Sequence, residues 1–232
     1  MRHGMTVHNR QGVIQGWGDS PLAPEGRDVA RCLGRAMASL DVRRAWSSDA
    51  GRARETLRLL LDARAEAMSC SREGAHAEVR SGRLRALVAH ADPRLREWGY
   101  GGFEGGPAAE LNRAIERQMG AALSRRQMNE RLPQVADAIA AADPAGRAER
   151  FDAIAGRLTA FLDDALADLA TAGGGLGVAV THALAIRSLV WCIDPSRALE
   201  PDKYGNGSVT AVGFDGTRLT VGPVASMAWR QA

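Results

Sequence analysis

Residues 176–193, LGVAVTHALAIRSLVWCI, decide the fold class. A short run of β-branched and small residues ends at Thr181 and His182, and an apolar helical run follows at once. A buried strand that stops at polar residues and continues as a helix is the βα unit of a sheet covered on both faces. The same order occurs upstream in residues 43–68, RRAWSSDAGRARETLRLLLDARAEAM. There a strand-like piece ends near Ser47, a polar turn follows, and Leu57, Leu60 and Leu61 mark a helix. Two such units predict an α/β protein.

Between and around them the chain fills in. From Pro24 to Leu40 the positions Val29, Cys32, Leu33, Ala36, Met37 and Leu40 recur at helical spacing, with Pro24 suited to the first turn. Residues 71–83 are polar and aperiodic and read as a surface connection. Residues 84–91, LRALVAHA, read as a strand, followed by the glycine-rich loop 92–106, DPRLREWGYGGFEGG. Residues 107–172 turn to Ala, Arg and Leu, with a helical stripe through Phe151, Ile154, Leu158, Phe161, Leu162, Ala165, Leu166 and Leu169. This stretch is expected to be an inserted helical cap on a single domain spanning 1–232. Residues 208–224 alternate with period two across Asp215-Gly216 and predict a hairpin.

Composition narrows the function classes. Thirty basic against 27 acidic residues give a formal charge of +3, and Lys203 is the only lysine. The arginines are spread through every segment, with no basic stripe of the kind that grips nucleic acid. No window resembles a membrane span or a secretory signal. Cys32, Cys70 and Cys192 form no CxxC pair. They fit reduced thiols in a cytoplasmic protein, Cys32 and Cys192 as small core residues, and argue against a zinc site.

In an α/β sheet, ligands bind beyond the carboxyl ends of the strands. Ser47, Ser48 and Arg52 follow one strand, Glu97 another, Thr181 and His182 a third, and Arg2 and His3 join them if a strand precedes them. Histidines, arginines and one glutamate on a single edge suit a phosphorylated anion, because guanidinium groups pair with phosphate oxygens. Taken singly, His3 reads as an exposed terminal histidine, Glu97 as a surface carboxylate and His182 as a strand-end side chain. Arg187, His8, His76 and His90 read as solvated or helix-surface residues, and Trp17, Trp98 and Phe103 as packing.

Five blocks in order, RHGMTVHN (2–9), QGWGDSPLAPEG (15–26), SSDAGRARET (47–56), LREWGYGGFEG (95–105) and THALAIR (181–187), resemble the histidine phosphatase superfamily, the phosphoglycerate mutase-like proteins. The resemblance covers most of the chain and is thinnest over 107–172. It implies a three-layer sandwich with a mostly parallel central sheet. It also implies that His3 is the nucleophile, that Arg2, Arg52 and His182 surround the phosphate, and that Glu97 is the proton donor. Asn9, Gln15, Gly16, Arg54, Tyr100 and Ala183 would line the substrate side, with no metal and no cofactor. Ala183 stands where the family commonly has glycine, and Met5 where it has Glu or Gln.

The activity implied is a phosphomonoesterase acting on a small phosphorylated metabolite through phosphohistidine. A phosphoglycerate mutase and a non-catalytic binder of phosphorylated ligands are the alternatives. Sugar phosphates, phosphoserine, phosphoglycerate and nucleotide-derived monoesters all stay open as substrates, as does assembly into a homodimer. Family members begin with an apolar strand that ends at RHG, whereas here only Met1 precedes Arg2. The expectation is therefore that the first central strand is missing from the chain and that the authentic start lies roughly 5 to 10 residues upstream, one strand's length.

Overall fold

The computed structural model of the protein describes residues 1–73 and 87–231. Most of the expected connection 71–83, the first part of the strand expected at 84–91, and His76 lie outside the described residues. In chain order, α1 (Val7–Gln11), α2 (Pro24–Ala36), β1 (Val42–Ser47), α3 (Gly51–Glu73) and β2 (Ala89–Ala91) come first. Four helices follow, α4 (Ala108–Met119), α5 (Arg125–Glu130), α6 (Leu132–Ala142) and α7 (Phe151–Thr171). Then β3 (Leu176–Val180), α8 (Ala183–Ile193) and the hairpin β4 (Val212–Phe214) and β5 (Leu219–Val221) complete the chain. The hairpin pairs across Asp215-Gly216 as its alternation predicts.

β2, β1 and β3 form a parallel sheet in that order, with Ser47 in register with both Ala91 and Val180. Their carboxyl ends therefore stop along one edge. The first residues of the chain run beside the end of β3: the Thr181 amide donates to Met1 O at 2.9 Å and the His3 amide to Thr181 O at 2.9 Å. On the other side the Arg2 amide donates to Ser208 O at 3.0 Å, and the Gly207 amide to Arg2 O at 3.1 Å. Backbone bonds on both sides thus hold the RHG loop at the same edge as the three strand ends.

Helices cover both faces. Leu33 of α2, Met37 directly after it, and Leu57 and Leu60 of α3 bury against Val42, Ala45, Val178 and Val180. Opposite, Phe161 of α7 meets Trp46 edge-on with ring centroids 5.9 Å apart, and Ile154, Leu158 and Ala165 extend that contact. A fully buried Leu or Ile contributes about 1.5–3 kcal/mol to folding, so these stripes fix the three layers. α7 lies on the sheet, while α4 and α6 pack on one another beyond it. Two core assignments need correction. Cys32 and Cys192 are exposed, because Ala30, Leu33 and Gly34 take the buried side of α2 and Ile186 and Val190 that of α8.

Candidate active site

The sheet edge gathers His3, Arg2, Arg52, Glu97 and His182, all buried. Gly4 brings the His3 loop against α2, since a methyl group at Gly4 would meet the Gly26 carbonyl. Thr56 ties that loop to α3, taking the Gly4 amide on its hydroxyl at 3.0 Å and donating to Arg52 O at 2.7 Å.

His3 Nδ1 lies 2.7 Å from Gly4 O. A carbonyl only accepts, so Nδ1 carries the ring proton and Nε2 keeps a lone pair. Burial, then the charges of Arg2 and Arg52, hold this ring well below imidazole's usual range. His182 is arranged the other way. Arg52 Nη2 sits 3.0 Å from His182 Nδ1 and a guanidinium only donates, so the His182 proton lies on Nε2. Burial first, then Arg52, also hold His182 well below its usual range. The two rings stand 5.1 Å apart, centroid to centroid.

Arg52 is held by the 16–19 loop: Nη1 donates to Gly18 O at 2.8 Å and to Asp19 Oδ1 at 3.0 Å, and Nη2 to Gly16 O at 2.8 Å. Asp19 thus places a carboxylate beside a cation in the first turn of α3, where the helix end itself disfavours positive charge. Arg2 Nη1 donates to Tyr204 O at 2.5 Å. Three buried nitrogens, Arg2 Nε, Arg52 Nε and His182 Nε2, find no partner among the described residues. Leaving a buried donor unsatisfied costs about 1–3 kcal/mol, and two of these belong to cations. Such a set suits an anion that accepts several hydrogen bonds.

Glu97 lies at the amino end of α8. Its Oε1 accepts from the Ala185 amide at 2.8 Å and the Trp98 amide at 3.1 Å, its Oε2 from the Leu184 amide at 3.1 Å. Burial raises its pKa, with those amides and Arg52 pulling back. Tyr100 is buried too, and burial with the charges of Glu97 and Glu104 keeps its phenol protonated.

The residues expected on the substrate side divide. Gln15 is occupied within its own loop, accepting from Thr6 Oγ1 at 2.9 Å and donating to Ser20 Oγ at 3.1 Å. Asn9 Oδ1 accepts from Asn206 Nδ2 at 3.1 Å. Gly16 uses its amide on Glu104 and its carbonyl on Arg52. Ala183 opens α8 beside His182, half-buried. Arg54 is exposed and its side chain makes no hydrogen bond or ion pair among the described residues. Arg187, read as solvated, is buried instead. It donates to the carbonyls of Ala198, Pro201 and Asp202 and stacks on Tyr204, whose carbonyl holds Arg2.

Sequence reasoning missed several supports. Glu104 accepts the amides of Gly16, Trp17, Gly18 and Tyr100, which binds the two loops flanking Arg52 and Glu97. Asp19 and Glu104 stand inside quoted motifs, so their position was a usable signal. Asn206, which donates to His3 O at 3.1 Å, lies in YGNGS, where no pattern marks it.

Comparison with known proteins agrees with this geometry. The sequence profile of the histidine phosphatase superfamily (branch 1) matches residues 1–87 and 70–224. Mouse fructose-2,6-bisphosphatase TIGAR is 31% identical over 121 residues, 52% of this chain and 38% of that protein. The probable phosphoglycerate mutase GpmB of Erwinia tasmaniensis is 31% identical over 134 residues, 58% of this chain and 52% of that protein. The matched stretch thus spans about half or less of these curated relatives. The crystal structure of phosphoglycerate mutase from Bacillus anthracis strain Sterne superposes with a TM-score of 0.85 at 31% identity, covering 98% of this chain and 92% of that one. No helix among the described residues is long and apolar enough to cross a membrane. With its five motif blocks gathered at one sheet edge, and the profile matching most of its length, the chain belongs to the histidine phosphatase superfamily, branch 1.

Proposed function

We propose that the protein is a cytoplasmic phosphomonoesterase that transfers the phosphoryl group of a small phosphorylated metabolite to His3 and then to water. One observation carries this reading: a neutral His3 with a free Nε2 lone pair shares the sheet edge with three buried donors, Arg2 Nε, Arg52 Nε and His182 Nε2, that find no partner among the described residues. His3 Nε2 attacks phosphorus, the bond to the leaving oxygen breaks, and Glu97 gives that oxygen its proton. Charge on the equatorial oxygens is met by Arg2, Arg52 and His182 Nε2–H, already oriented by the surrounding backbone. In the second half Glu97 takes a proton from water, the water oxygen bonds to phosphorus and the P–N bond breaks. This returns neutral His3 and releases phosphate.

Phosphate release from a panel of phosphomonoesters, run beside a coupled phosphoglycerate mutase assay and alkaline trapping of phosphohistidine, tests the proposal. Phosphate release with a phosphohistidine that disappears in His3→Ala is the expected result. Mutase turnover without net phosphate release would transfer the site to the second reading, favoured by the Bacillus anthracis likeness. Binding without either activity would leave a phospho-ligand binder.

A further inference from the structure

Arg157 lies on α7, in the part of the chain where the family motifs are thinnest, and all five of its N–H donors are used. Nη1 donates to Arg94 O at 2.8 Å and to Arg96 O at 2.6 Å, and Nη2 to Glu97 O at 2.9 Å. Nε and Nη2 grip Glu149 as a fork, at 2.8 and 2.9 Å. Glu149 in turn accepts the Gly99 amide at 2.8 Å. Both side chains are largely buried, 14% and 12% exposed, so the pair is little screened by water. Carbonyls before Glu97 and an amide after it are thereby tied to one rigid guanidinium–carboxylate unit. Trp17 Nε1 supports the same carbonyl, Glu97 O, at 3.1 Å.

We propose that Arg157, with Glu149, is the positioning residue for the proton donor: it fixes the 94–99 loop so that the Glu97 carboxyl reaches the leaving oxygen. This rests on the reading of Glu97 given above. A planar fork is needed because three carbonyls and a carboxylate converge from different directions, and an ammonium with three donors cannot meet them all. A misplaced acid slows only substrates whose leaving oxygen needs a proton.

The test compares kcat/KM, which reports transfer to His3, for phenyl phosphate and for 2,4-dinitrophenyl phosphate, whose leaving group departs unprotonated. Arg157→Met is expected to lose about tenfold or more on phenyl phosphate and less than about twofold on the dinitrophenyl ester, with Arg157→Lys in between. Glu97→Gln must show the same selectivity. If it does not, the role of Glu97 fails first. If Glu97→Gln is selective but the Arg157 variants lose equally on both esters, or lose nothing, the positioning role is overturned. Circular dichroism checks folding, and failure of both Arg157 variants to fold would likewise overturn the proposal by making Arg157 a residue of the fold.

Discussion

His3 and His182 lie side by side at the sheet edge, are both buried and are both held neutral by burial and by arginine, yet they offer Nε2 in opposite protonation states. A carbonyl on one Nδ1 leaves a lone pair, whereas a guanidinium on the other leaves an N–H. One residue type therefore presents a lone pair in one place and an N–H donor in the other, and the neighbouring atom decides which. The lesson is that imidazole chemistry here is set by what touches Nδ1, not by strand position or burial.

The largest effect that tests this contrast is His3→Ala, expected to lower kcat about 10⁴-fold and to abolish phosphohistidine, since no other group supplies the lone pair. His182→Ala removes only a donor to the equatorial oxygens and should lower kcat about 10²–10³-fold while phosphohistidine still forms. Equal losses and equal absence of the intermediate would break the distinction. Nitrogen NMR gives a direct reading, with the Nε2 of His3 unprotonated and that of His182 protonated.

The pH profile sharpens the same point. In the proposed reaction transfer needs neutral His3, so the rate is expected to rise with pH through a pKa held well below the usual histidine value. It also needs protonated Glu97, so the rate falls as pH rises through a pKa lifted above the usual carboxyl value. The expected profile is a bell on the acidic side, and Glu97→Gln should remove its alkaline fall. A rate still climbing above about pH 8 would contradict the assignment of either group.

The smallest effect lies away from both histidines. Asp143 accepts the amides of Gly102, Ala145, Arg147 and Ala148, and although burial works the other way these hold its pKa at about 2. Its folded pKa lies below its unfolded one, so its contribution is present above about pH 4 and is lost as pH falls through 2, a difference of about 2 kcal/mol. Asp143→Asn should lower stability to urea at pH 7 by roughly that amount, with the deficit shrinking toward pH 2. The two histidine tautomers should be unchanged.

The strand and helix positions around Ser47 and His182 were readable because their apolar periodicities differ and polar residues sit where one gives way to the other. The five polar residues of the site were readable because they lie in recognisable blocks at or near those junctions. Arg187 and Cys32 were misread for one reason: periodicity tells which positions share a helix face, but not which neighbour meets that face. Asn206, Glu149 and Arg157 carry no local pattern at all, since each is defined by a contact with a distant backbone group.

The sequence by itself determined the βα units, the family and the set of histidines, arginines and glutamate at the strand ends, because periodicity and motif order are properties of short stretches of chain. Only the tertiary structure decided whether each histidine Nε2 carries a proton, which arginine nitrogens find no partner among the described residues and what holds Glu97 in place. Those depend on single hydrogen bonds between segments that meet only when the sheet aligns its strand ends and the helices close over both faces.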